Sequence, residues 1–174
     1  MLVLLNGPPA AGKSTVARRW VADRPLALNL DLDALWLMLG QWDADLTATG
    51  LAARDLGLAM CRVQLDAGRD VIVPQYLGRP EFIDQLAAVA GDGFRHVVLL
   101  PPFHVVEARF AGRTDHAVAV AGRSRFEGPD ELRRMYDRLV ELARMRPDAA
   151  VIELTGADTI DDASEKLRAF TSQG

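Results

Sequence analysis

The sequence predicts a three-layer α/β/α fold built on a five-stranded parallel sheet. Three observations carry that expectation: five short apolar runs without period-two alternation, helical patterns in every interval between them, and a glycine-rich loop joining the first run to the first helix. A strand covered on both faces has no polar side to present, so it reads as a continuous apolar run. Strands that alternate with helices join in parallel through right-handed crossovers.

The elements follow in order. "LVLLN" (2–6) is the first strand and 13–22 the first helix; "LALNL" (26–30) is the second strand, followed by helical patterns over 33–39 and 50–67. "VIVPQ" (71–75) precedes a helix over 80–90, "VVLLP" (97–101) precedes helices over 103–112 and 129–146, and "VIELT" (151–155) precedes one over 159–171. The punctuation agrees: "AGR" (67–69) and "AGDG" (90–93) end helices, and "GPDEL" (128–132) puts Pro129 at a helix start with acids in its first turn. The loosest stretches are "GQWDADLTATG" (40–50) and "GRTDHAVAVAGRSRFEG" (112–128). Insertions of this length around one sheet are where lids and substrate-binding segments lie, and a plain surface connection is the alternative for each. No repeat, low-complexity tract or linker divides the 174 residues, so one domain is expected over 1–174, with a substrate-binding segment at about 33–69 and a lid at about 112–128.

Composition narrows the partners. Half the chain is hydrophobic (49%), and 24 acids against 20 bases give a net charge of −4, so no global attraction draws it to nucleic acid or to an anionic membrane. Any basic site must be local. The single cysteine, Cys61, excludes an internal disulfide, suits a reducing compartment and reads as packed. No run approaches the roughly 18 apolar residues of a membrane span, and the chain begins on a strand without a basic leader, so a cytoplasmic location is expected.

Gly7, Gly12, Lys13 and Ser14 satisfy G-x-x-x-x-G-K-[ST] between a strand and a helix, the context that this phosphate loop requires. Backbone N–H groups from about Ala11 to Thr15 are expected to point at the β-phosphate of a nucleotide. Lys13 would bridge the β- and γ-phosphates, and the Ser14 hydroxyl would ligate Mg²⁺. Pro8 and Pro9 precede the binding N–H groups, so their missing donors forfeit no phosphate contact while their fixed φ stiffens the loop.

The second acidic site separates motors and switches from transferases. Motor ATPases and GTPases end a central apolar strand on an acid, whereas here those ends read "VIVPQ" and "VVLLPP". The remaining candidates are Asp31 and Asp33, in "LNLDLDAL". If the second strand extends that far, its period of two sets both carboxylates on one face at the ligand edge of the sheet. Asp33 then suits the orientation or deprotonation of an attacking hydroxyl, with a helix N-cap as its alternative reading. Asp31 suits a water-mediated Mg²⁺ contact, or else a structural hydrogen-bonding acid.

On "LDLDAL" (30–35) and "EARFAGR" (107–113) the chain resembles the small phosphate-loop kinases of nucleoside-monophosphate-kinase-like fold, the group of adenylylsulfate kinases, gluconate kinases, chloramphenicol phosphotransferases and zeta-toxin-like kinases. The resemblance implies a D-x-D step in which Asp33 faces the acceptor hydroxyl and Asp31 lies nearer the metal. It also implies an R-x-x-x-R step, Arg109 and Arg113, entering the lid. "PQYLGR" (74–79) matches neither the gluconate kinase nor the adenylylsulfate kinase pattern, so neither substrate is inherited.

Arg109 and Arg113 lie four apart on one helical face, placed to meet charge developing on the γ-phosphoryl, with Arg123 and Arg125 further along the lid; a solvated arginine face is the plain alternative. Trp36, Gln75, Tyr76 and Arg79 are the candidate acceptor contacts, although Arg79 could equally reach a phosphate and Trp36 and Trp42 are read first as packing. The 33–69 segment holds Asp43, Asp45 and Asp55 but only Arg54 and Arg62 as cations, a balance that leans toward a neutral or cationic acceptor. His96, His104 and His116 are too scattered for a metal site and read as surface or capping residues. The expected function is an ATP- and Mg²⁺-dependent kinase acting on a hydroxyl of a small molecule, such as an antibiotic or a sugar-like metabolite. The alternatives are a nucleotide or polynucleotide hydroxyl kinase, which the acidic charge argues against, and a nucleotide-binding regulator without turnover.

Overall fold

The computed structural model describes residues 1–112 and 129–172. Its elements run β1 (Leu2–Asn6), α1 (Lys13–Ala22), β2 (Leu28–Asn29), α2 (Leu32–Met38), α3 (Leu46–Asp66), β3 (Val71–Gln75), α4 (Pro80–Ala90), β4 (Phe94–Leu100), α5 (Phe103–Ala111), α6 (Pro129–Met145), β5 (Ala149–Glu153) and α7 (Ile160–Thr171). The five strands form one parallel sheet in the order β2-β3-β1-β4-β5. The loop leaving β1 therefore opens between β3 and β4 at the C-terminal edge, where an open α/β sheet holds its ligands.

β1 shows why the strands lack alternation. Leu2 and Leu4 enter one buried cluster with Val71, Val73, Leu58, Phe82 and Leu139, while Val3 and Leu5 enter the opposite cluster with Val16, Trp20, Ile72 and Leu167. Each face is roofed by helices, so either parity of side chain is buried. Trp20 of α1 also donates Nε1–H to Thr171 Oγ1 of α7 at 3.1 Å, joining the two helices of one layer. Burial pushes the Cys61 thiol up to about 12, so it packs as an inert small hydrophobe.

Several element boundaries depart from the sequence reading. β2 covers two residues only, because after Leu30 N–H donates to the Ile72 carbonyl at 2.9 Å the chain turns at Asp31 into α2. The shortening also accommodates Pro74 in a central strand. Ile72 faces β2, Pro74 shares its parity, and β2 has ended before that point, so the missing N–H breaks no ladder bond. α3 starts at Leu46, four residues early, since Asp45 accepts from Thr47 and Ala48 N–H at 2.9 and 3.0 Å as its N-cap. Gly50, expected where the loose 40–50 stretch meets the helix start, lies inside α3, where a Cβ would meet the Trp36 ring at 3.1 Å. β4 begins at Phe94 and β5 at Ala149, because the polar Arg95 and His96 hide the start of β4 from a search for apolar runs.

His96, read from the sequence as a surface or capping residue, is instead 1% exposed, because it sits on β4, an interior strand of the sheet. Its Nε2 stands 3.4 Å from Asn6 Nδ2, an amide donor, so the ring is neutral and carries its proton on Nδ1, which has no partner. Burial, aided by the Arg146 guanidinium and opposed by Asp148, pushes the imidazole down from 6.5 to about 4. A folded-state value below the unfolded one gives stability that is complete above about pH 6.5 and lost as pH falls through about 4. The expected loss is about 3 kcal/mol, at roughly 1.4 kcal/mol per pH unit. Urea unfolding of wild type and His96→Gln between pH 7 and pH 4 checks this: the variant should lack that part of the slope, and an identical slope would contradict it. Among the described residues, no helix is long and apolar enough to cross a membrane.

Candidate active site

The phosphate loop is closed by its own backbone. Pro9 and Ala10 occupy the centre of a turn in which Ala11 N–H donates to the Pro8 carbonyl at 3.2 Å, and Ala10 takes a positive φ of 63°. A proline followed by a positive φ is the pattern of a type II turn. The prolines thus do more than stiffen the loop, because the Pro8 carbonyl also accepts from Lys13 Nζ at 2.9 Å, as does the Gly7 carbonyl. Gly12, left-handed at φ 95°, is the N-cap of α1 with no side chain covering it. Gly7 has no room for a side chain, since a Cβ there would lie 2.7 Å from the Leu99 carbonyl. Of the N–H groups expected to face a phosphate, Ala11 is used in the turn and Thr15 donates to the Gly12 carbonyl at 3.0 Å. Ser14 is exposed at the helix start. An uncapped N-terminus, a lysine over two carbonyls and an exposed hydroxyl fit a phosphate group and its magnesium ion.

Asn6, the last residue of β1, was not singled out in the sequence, where it reads as the polar end of an apolar run. It is fully buried. Its Oδ1 accepts from Gly7 N–H and from Leu77 N–H, both at 2.9 Å, and its Nδ2 donates to the Leu77 carbonyl at 3.0 Å. One amide therefore staples the phosphate loop to the segment that leaves β3. Asn6→Ala would strand three buried backbone groups at about 1–3 kcal/mol each, so a loss of about 3 kcal/mol or more is expected in urea unfolding. A loss below about 1 kcal/mol would contradict the staple.

The two aspartates are not alternating strand residues. Asp31 is the N-cap of α2, its Oδ1 accepting from Asp33 N–H at 3.0 Å, and Asp33 is exposed in the first helical turn. The cap lies two residues from where the sequence allowed it. Across the sheet edge, Gln75 Nε2 donates to Asp33 Oδ1 at 3.5 Å, the outer limit of a hydrogen bond.

Beside this contact lie two cavities that share Arg54 and Leu77. The smaller, about 50 Å³, is lined by Leu32, Trp36, Gly50 and Gln75 as well. The larger, about 410 Å³, is lined by Tyr76, Gly78, Arg79, Glu81 and Arg138, with Phe82 behind Arg54. Of the four expected acceptor residues, Trp36 and Gln75 line the smaller cavity and Tyr76 and Arg79 the larger. Trp36 is half-buried against the core and lines the small cavity, so it both packs and faces the space. Tyr76 donates to the Met135 carbonyl at 3.3 Å, and burial pushes its hydroxyl up against the opposing pull of Arg138.

Arg138 was missed. It lies in α6, some 60 residues from Arg79, and nothing local in the sequence places it in the cavity. With Arg54 and Arg79 it reverses the charge balance expected from 33–69 alone: three guanidiniums face one carboxylate, Glu81. The acids counted for that segment serve elsewhere, Asp45 as a helix cap and Asp43 and Asp55 on the exposed surface.

Arg109 is exposed in the last turn of α5. Arg113, Arg123, Arg125, His116 and the expected lid beyond Gly112 lie outside the described residues. Among the described residues, no group of three or more His, Cys, Asp or Glu gathers at metal distance. A magnesium site built from one hydroxyl, nucleotide phosphates and water needs no such group.

A family model described as AAA domain matches residues 2–142, a span that takes in the phosphate loop, Asp31, Asp33 and the cavity wall through Arg138. No curated protein matches. Among solved structures the chain is similar to a gluconokinase from Sinorhizobium meliloti 1021, with 18% identity, a TM-score of 0.65, and coverage of 99% of this chain and 91% of that one. It is also similar to a sugar kinase from Janibacter sp. HTCC2649, with 18% identity, a TM-score of 0.63, and coverage of 98% and 94%. The YorR protein from Bacillus subtilis, solved in complex with phosphorylated GDP, is similar at 12% identity and a TM-score of 0.61, with coverage of 99% and 96%. The fold is that of the phosphate-loop kinases.

Proposed function

The chain belongs to the AAA-domain family, and on that premise we propose that it is an ATP- and Mg²⁺-dependent kinase that moves the γ-phosphoryl group of ATP to a hydroxyl of a small molecule, with residues 1–174 acting as one kinase domain. The observation that carries the proposal is the Asp33–Gln75 contact beside the acceptor cavity, at the sheet edge that also bears the phosphate loop. A nucleotide switch has no need of a cavity of about 410 Å³ whose wall begins at Tyr76, the chain neighbour of Gln75. The printed names of the gluconokinase and the sugar kinase support the same class.

In the proposed reaction Asp33 takes the proton of the acceptor hydroxyl, whose oxygen bonds to the γ-phosphorus as the bond from that phosphorus to the β–γ bridging oxygen breaks, releasing ADP. Lys13 and the uncapped N-terminus of α1 hold the β- and γ-phosphates, exchanging the Gly7 and Pro8 carbonyls for phosphate oxygens. Ser14, with Asp31 through water, would hold Mg²⁺, which when bound neutralises charge on the β- and γ-phosphate oxygens. Arg109 is assigned to the charge on the transferred group, and Gln75 helps to hold the Asp33 carboxylate by donating to it. A coupled assay of ADP release across hydroxylated compounds tests the reading. Acceptor-dependent ADP release supports it, whereas tight ATP binding with no turnover for any acceptor would favour a non-catalytic regulator.

A further inference from the structure

The three cavity arginines come from three elements: Arg54 from α3, Arg79 from the position before α4, and Arg138 from α6. Among the described residues none of them pairs with a carboxylate, although most arginines whose contacts are described do so, including Arg19, Arg24, Arg133, Arg146 and Arg168. Two of them, Arg54 and Arg138, are nonetheless seated. The Arg54 guanidinium lies 5.3 Å from the Phe82 ring centroid, a cation–π contact. Arg138 packs over Gly78 so closely that a Cβ there would meet its Cδ at 2.9 Å and the Tyr76 hydroxyl at 2.6 Å. A glycine that admits an arginine stem, and a tyrosine beside its head, make a shaped wall. Three guanidiniums lining one concave site against a single carboxylate, Glu81, leave an excess of positive charge that an entering anion would balance.

We propose that Arg54, Arg79 and Arg138 form an oxyanion subsite, and that the acceptor is a hydroxylated molecule bearing a carboxylate or phosphate group at some distance from the reacting hydroxyl. The inference deepens the kinase reading and rests on it for the word acceptor, while the subsite itself does not. The anion would lie in the larger cavity and the reacting hydroxyl beside Asp33, whose partner Gln75 lines the smaller one. Binding energy from the remote anion would thereby position the hydroxyl for transfer.

The test separates the two claims. With ADP saturating the phosphate loop, calorimetric titration is run with inorganic phosphate, gluconate, glucose and glucosamine, and ADP release is measured with ATP and the three sugars. Phosphate alone reports a phosphate-type anion and gluconate a carboxylate. The proposal expects at least one of them to bind better than glucose and glucosamine, and Arg79→Gln or Arg138→Gln to weaken that binding about 10- to 100-fold. Arg138→Lys should restore part of it, because the charge returns without the fork. Equal or tighter binding of glucose or glucosamine, or unchanged anion affinity in both Gln variants, would overturn the subsite. Anion binding that depends on the arginines, without turnover of any compound, would leave the subsite standing and remove the kinase reading. Turnover of glucose that ignores the arginines would do the reverse.

Discussion

Lys13→Ala is expected to lower kcat by about 10²- to 10³-fold, the usual effect of deleting one preorganised charge at a phosphoryl-transfer centre. Lys13 Nζ is held 2.9 Å from the Gly7 and Pro8 carbonyls, so the ammonium is already stationed over the loop. Incoming phosphate oxygens replace those carbonyls, and the interaction strengthens as negative charge builds on the bridging oxygen toward ADP. Because the same group contacts the ground-state phosphates, nucleotide affinity should fall as well. The fold should lose little, since two half-buried contacts to carbonyls are worth only about 1–2 kcal/mol. Steady-state kinetics with a fluorescent-nucleotide titration checks both parts. A loss of less than about threefold in kcat would be incompatible with the role assigned to Lys13.

Asp33→Asn separates transfer from binding. The expected result is a drop of about 10²- to 10⁴-fold in kcat, the range for a positioned general base, with nucleotide affinity unchanged. Asn preserves the shape of the side chain and still accepts from Gln75, so the first turn of α2 and the neighbouring cavity stay as they are. Stability should move by no more than about 1 kcal/mol, through the lost first-turn negative charge near the α2 N-terminus. A variant with full transfer activity would remove the base from Asp33, and an equal fall in nucleotide affinity would instead assign the residue to the metal shell.

The order of strands and helices was legible because burial on both faces leaves the apolar runs unbroken, as Leu2 to Leu5 illustrate by feeding both clusters in turn. The phosphate loop was legible because its chemistry is local: Gly7, Gly12, Lys13 and Ser14 lie within eight residues of one another. The Asp31 cap was misplaced, since an Asp that ends a strand and one that starts a helix look alike until the next turn is seen. Asn6 and Arg138 were illegible for a different reason. Their meaning depends on Leu77 and on Tyr76 and Gly78, which reach them only through the sheet order and the packing of α6. The charge of the acceptor wall was misread for the same reason, because counting acids along 33–69 says nothing of which side chains face the cavity.

The most direct test of the central claim follows the label from [γ-³²P]ATP in the presence of Mg²⁺ and a hydroxylated acceptor, with wild type and Asp33→Asn side by side. The account predicts label on the acceptor with wild type, carried in an alkali-resistant phosphate ester, and little or none with the variant although it binds ATP normally. Label that stays on ATP, or that passes only to water whatever acceptor is supplied, would contradict it.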